Sequence, residues 1–144
     1  ALSGPDRPRR RAHLGLIFDT YLSVGTAIQV ALPSILEVAP VIVAETRERL
    51  LLNLGALDRT LPAELGVRRL PSHGGWSVVL EIPKLMSEEA WIDHLIRDAG
   101  VLAMPGYFFD LTSGRNVVLS LIVPPSEFEL GAARLSESLR RAAR

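Results

Sequence analysis

The chain is 144 residues long, and its 16 lysines and arginines balance its 16 aspartates and glutamates, so no global field draws in nucleic acid or an anionic membrane. It has no cysteine, which excludes disulfide frameworks, thiolate metal sites and a cysteine nucleophile and suits a reducing, cytoplasmic setting. Hydrophobic residues make up 48%, with a mean hydropathy of +0.24, more than a free-standing domain of this size calls for, so part of the apolar surface is expected to face a partner.

Ala1 to Arg11 carries Arg7, Arg9, Arg10 and Arg11 and reads as a solvated connector. It lacks the order of a signal peptide, and no apolar run downstream is expected to reach the ~18 to 20 residues of a membrane span. From Leu14 to Val38 the pattern is apolar, with Asp19, Thr20, Tyr21 and Ser23 as a cap region for a helix through Ile28 and Ala31 that Pro33 should bend or interrupt. Pro40 then opens a long amphipathic helix to about Leu61, with Val43, Leu50, Leu54, Leu57 and Leu61 on one stripe. Pro62 to Gly66 breaks it, and Val67 to Leu70 can form a short strand.

Trp76, Val78, Leu80 and Ile82 alternate with Ser77, Val79 and Glu81, the pattern of a strand with one apolar face. Ser87 is a good N-cap, followed by Glu88 and Glu89 where the helix dipole favours acids. Trp91, Leu95 and Ala99 should face inward and Gly100 should close the helix. Val101 to Met104 reads as a short strand ending at Pro105-Gly106, and Asn116 to Val123 as a central strand. A last helix from Pro125 places Phe128, Ala132, Leu135 and Leu139 on one stripe. The predicted fold is α/β, in an α+β-like two-layer form, with a small mixed β-sheet covered by helices in a single domain, 1–144.

His13, His73 and His94 have no partner at metal-ligand spacing, so no metal site is expected. There is no G-x-S-x-G elbow, P-loop or G-x-G-x-x-G fingerprint, and Gly74-Gly75 alone is a weak phosphate signal. His94, beside Asp93, is expected on a solvated helix face. Glu88 and Glu89 have a sufficient structural reason at the helix start and diverge too much for an acid/base pair.

Six pieces in order carry a family resemblance: Ser3-Gly4-Pro5, the run Phe18 to Gln29, Arg47-Glu48-Arg49 with Asn53-Leu54 and Leu57, Gly74-Gly75-Trp76, Ala99-Gly100-Val101, and Pro105-Gly106-Tyr107-Phe108-Phe109 ahead of the final strand and helix. Together they resemble the C-terminal, small domain of class I/II, fold-type I pyridoxal-phosphate aminotransferases.

The resemblance implies that 1–13 is a connector from a missing N-terminal large domain, 14–61 the interface and interdomain helices, and 62–144 the sheet-and-helix domain. It also implies that the Schiff-base lysine lies upstream, so that the chain carries no catalytic residue and is inactive alone, with Lys84 a solvated turn residue. Pyridoxal phosphate belongs to the parent protein, an amino acid or 2-oxo acid is the substrate, and a homodimer is expected. The family's carboxylate-clamping arginine falls on Val118, a departure that leaves Arg115 as the nearby alternative. Gly75, Trp76, Tyr107 and Arg115 are the candidate substrate-binding residues, and Tyr21 and Ser23 the candidate contacts to the partner subunit. The alternatives are an aminotransferase-like sensor domain of a transcription regulator and a structural dimerisation module.

Overall fold

A computed structural model describes residues 6–21 and 24–144; Ser23 and Ser3 to Pro5 lie outside the described residues. The chain divides into two compact units, one ending at Ile42 and one running from Val43 to Arg144.

The first unit is helical. Helix α1 (Arg7–Thr20) takes in the arginine-rich stretch expected as a connector, because Pro8 in its first turn costs no hydrogen bond there and its fixed φ favours the helix. Helix α2 (Thr26–Thr60) starts where Gly25 accepts from the amides of Ile28 and Gln29, and the Gln29 side chain returns to the Val24 carbonyl at 2.6 Å. It continues through Pro33 and Pro40, where the sequence suggested a break. Each proline removes one amide donor, but Gln29 and Leu36, whose carbonyls lose that partner, are exposed to water. Helix α1 ends earlier, at Thr20, where Tyr21 turns to an extended conformation as its C-cap.

Contrary to expectation, α2 is by length and composition apolar enough to cross a membrane, and its most apolar stretch is wholly unburied. Ile28, Val30, Leu32, Ile35, Leu36 and Val38 are all exposed.

In the second unit, β1 (Arg68–Arg69), β2 (Ser77–Glu81), β3 (Met104–Pro105) and β4 (Asn116–Ser120) form one sheet in the order β1-β2-β4-β3, antiparallel at every pairing. Val78 and Leu80 of β2 and Val117 and Leu119 of β4 turn one face into the core. That face is covered by α3 (Glu88–His94), its π-helical continuation Leu95–Ala99, and α4 (Pro125–Ala142).

Trp91 and Leu95 are fully buried, and the α4 stripe of Phe128, Ala132, Leu135 and Leu139, which the 3.6-residue period made legible, is buried with them. The Ser87 hydroxyl accepts from the Ala90 amide, and Gly100 (φ 64°) ends the helix as the Val101 amide reaches the Leu95 carbonyl at 3.1 Å.

The end of α2 joins this core through Ala56 and Leu57. One turn earlier the Asn53 amide donates to the carbonyls of Leu121 and Val123 at 2.8 and 2.7 Å, and Arg49 donates to that of Ile122 at 3.4 Å. Helix-borne donors thus satisfy the three carbonyls that leave the end of β4, where no neighbouring strand continues.

Candidate functional site

β4 organises both ends of the candidate region. At its start, Gly106 opens a 3-10 turn (Gly106–Phe109) that lies against Asn116; at its far end, the Leu121 amide donates to the Trp76 carbonyl at 2.7 Å. Five residues of strand separate these points, about 17 Å at the usual rise. Tyr107 and Trp76 therefore stand at opposite ends of the sheet.

Tyr107 and Arg115 share a cavity of about 560 Å³ with Ser87, Glu88, Asp110 and Thr112. Gly75 lines a different one, about 270 Å³, with Arg47, Ser72 and His73. Trp76 lines neither and is 61% exposed; Tyr21, at the end of α1, is 72% exposed. The Arg115 guanidinium donates to the Met86 carbonyl at 3.3 Å, which fixes it at the wall of the first cavity.

Within that cavity Glu88 is buried, and its two carboxylate oxygens accept from two backbone amides, Tyr107 at 3.0 Å and Asn116 at 2.7 Å. The cost of burying the charge is offset by these charge-assisted bonds and by its place in the first turn of α3. The sequence showed the acid's place on the helix but not the two amides that converge on it, which come from residues 19 and 28 positions away.

Val118 pairs with Val79 on one side and Met104 on the other. This rung points away from the core face of Val117 and Leu119, so the sheet position where the resemblance puts a clamping arginine is apolar across three strands.

A second polar cluster was invisible in the sequence. Ser138, fully buried on α4, donates to Asp98 Oδ2 at 2.7 Å and lies 3.1 Å from His94 Nε2, while Arg141 holds the same carboxylate oxygen at 2.6 Å. His94 is thus a partly buried packing residue, with its ring edge-on to Trp91 at 5.7 Å, not the solvated one expected.

Serine, histidine and aspartate here do not form a hydrolytic triad. The carboxylate sits on the serine and 3.8 Å from the ring nitrogen that also faces the serine, so no base is oriented through its second nitrogen. The cluster bridges α4 to the end of α3. Hydrogen bonds from Arg141 and then Ser138 hold the Asp98 carboxyl below the usual aspartate range.

A depressed acid stabilises the fold above its unfolded-state titration, and that contribution is lost as pH falls through the lower folded value. Asp98→Asn is therefore expected to flatten stability against pH below about pH 4, in the ordinary aspartate range. Urea midpoints measured across that range for both proteins check this; parallel curves would contradict it.

Lys84, the only lysine in the chain, is exposed in the turn before α3 and lines neither the Tyr107–Arg115 cavity nor the Gly75 cavity. No group of three or more metal-ligating side chains converges among the described residues.

No protein-family model matches this chain, and no curated protein does. Solved structures do. An α-aminoadipate aminotransferase from Thermus thermophilus, complexed with N-(5'-phosphopyridoxyl)-L-leucine, is 28% identical with a TM-score of 0.61, over 81% of this chain and 29% of that one. A kynurenine aminotransferase from Pyrococcus horikoshii is 21% identical (TM-score 0.62; 73% and 26%). The valine-pyruvate aminotransferase of Salmonella typhimurium is 22% identical (TM-score 0.61; 72% and 28%). The chain spans between a quarter and a third of the length of these proteins.

Proposed function

Starting from a chain that has the fold of the C-terminal domain of fold-type I, pyridoxal-phosphate-dependent aminotransferases, we propose that it is the substrate-side domain of a larger transaminase. In that protein it closes over an amino acid or 2-oxo acid held with the cofactor by a large domain outside this chain. The observation that carries the reading is the match over four-fifths of the chain at 28% identity.

Closure of such a domain excludes water and brings binding groups to the substrate. The cavity with Tyr107 and Arg115 supplies an aromatic wall and a guanidinium with donors to spare for a carboxylate. This supports Arg115 as the clamp in a domain whose Val118 rung is apolar. Gly75 and Trp76, at the other end of β4, then face a different part of the assembly. The exposed apolar residues of α2 fit burial by the large domain and a second subunit in a cytoplasmic homodimer, to which Tyr21 and Ser23 would contribute.

The test uses both the chain and its full-length parent. The parent is expected to acquire visible absorbance with added pyridoxal phosphate and to transfer amino groups from at least one of kynurenine, α-aminoadipate and valine. The 144-residue chain should do neither, and Lys84→Ala should leave the parent unchanged. A parent without absorbance or turnover would sink the reading.

A further inference from the structure

We propose that Glu88 is a positioning residue: its buried carboxylate pins the backbone of the aromatic turn at Tyr107 and thereby sets where the Tyr107 ring stands at the wall of the Arg115 cavity. The proposal rests on the transaminase reading, and adds to it the group that holds the substrate-facing wall in place.

Three segments meet at this one side chain. One carboxylate oxygen takes the Tyr107 amide, in the first turn of a 3-10 helix, where no preceding carbonyl is in place to receive it. The other takes the Asn116 amide at the start of β4. Asn116 in turn donates through its side chain to the Ser113 carbonyl at 2.6 Å, which extends the anchor to the loop that carries Arg115.

The turn is seated as closely as a backbone permits. A Cβ on Gly106 would lie 2.6 Å from the Asn116 Cβ and 3.3 Å from Glu88 Oε1. Above this pinned backbone the rings project outward: Tyr107 and Phe108 stack edge to face at 4.9 Å, and Tyr107, Phe108 and Phe109 are 47%, 65% and 48% exposed.

Packing alone needs no carboxylate here. Two convergent N–H donors need two acceptor oxygens on one short fork, which glutamate supplies and glutamine does not, since its NH₂ would face one of the donors. The choice of residue therefore serves the geometry of the turn and not only the burial of a side chain.

The experiment compares Glu88→Gln and Glu88→Ala with Ser138→Ala in the full-length protein, Ser138→Ala being a destabilising control in the α4 cluster. In Glu88→Gln the Tyr107 or Asn116 amide should exchange with solvent about tenfold faster, the scale of one lost charge-assisted bond. Both amides should do so in Glu88→Ala. KM for the best donor among kynurenine, α-aminoadipate and valine should rise about tenfold while kcat stays within about twofold, the pattern of lost binding geometry.

Ser138→Ala should move neither. Unchanged exchange at both amides, or an equal rise in KM in Ser138→Ala, overturns the proposal. If the unaltered protein turns over none of the three donors, the transaminase reading falls and the substrate-positioning role with it, while amide exchange separately decides whether Glu88 anchors the turn.

Discussion

Trp91→Ala should lower the stability of the chain by about 3–5 kcal/mol, the range for removing a large aromatic from a packed core. Trp91 has no exposed surface and sits among Val78, Leu80, Leu95 and the α4 stripe in the single core of the second unit. Its indole N–H also donates to the Pro83 carbonyl at 3.0 Å, holding the turn between β2 and α3, and its ring packs edge-on against His94. Truncation opens a cavity, leaves a carbonyl without its donor and loosens the polar cluster at Ser138 together.

Since a domain of this kind has only about 5–15 kcal/mol in hand, the variant should be partly unfolded at body temperature. Trp91→Phe keeps most of the ring and loses the hydrogen bond, so about 1–2 kcal/mol is expected. Urea unfolding followed by circular dichroism reads both, and equal losses in the two variants would show that the bond and not the packing dominates.

Gly106→Ala is the second large effect, of about 1–3 kcal/mol, as for overpacking elsewhere. The added methyl would meet the Asn116 Cβ at 2.6 Å and the Asn116 carbonyl at 3.2 Å, backbone and near-backbone atoms that cannot swing aside. Either β4 or the aromatic turn must shift, and the Glu88 bonds to Tyr107 and Asn116 lengthen with it.

Gly74→Ala makes the opposite case. Nothing lies within 4 Å of a Cβ there and its φ is ordinary, so alanine should leave stability unchanged or raise it by about 0.4–1 kcal/mol through the unfolded chain. Thermal unfolding of the pair separates them: equal midpoints would mean that the close approach at Gly106 relaxes without cost.

These two glycines also show what the sequence could and could not disclose. Both were legible as turn markers, yet only one is required by a neighbour, and that neighbour is ten residues away in the chain and across a strand pairing. The helices of the second unit were readable because burial follows a 3.6-residue period in α4 and because Ser87 and Gly100 mark the ends of the α3 segment. α2 was misdivided, since proline's cost in a helix depends on whether the carbonyls it strands can reach water.

Of the candidate site, Tyr107 and Arg115 fall on one cavity and Gly75 on another, a separation set by β4, whose pairing fixes which turns share an end of the sheet. Glu88, Asn53 and Ser138 stayed hidden as organisers because each gains its meaning from partners 19 to 70 residues away.

The two outer strands have a consequence for how this chain meets its own copies. β1 is two residues long and both are arginines, one bound to Glu81 and the other to Asp58; β3 is also two residues long, and one is a proline with no amide to offer. Strands so short and so substituted cannot serve as templates on which a further strand is laid, so the sheet is protected at both margins against ribbon-like polymerisation. Exposed aliphatic side chains gather instead along α2, from Ile28 to Leu52, where every backbone amide is already taken up in a helix and none is offered to a neighbouring strand.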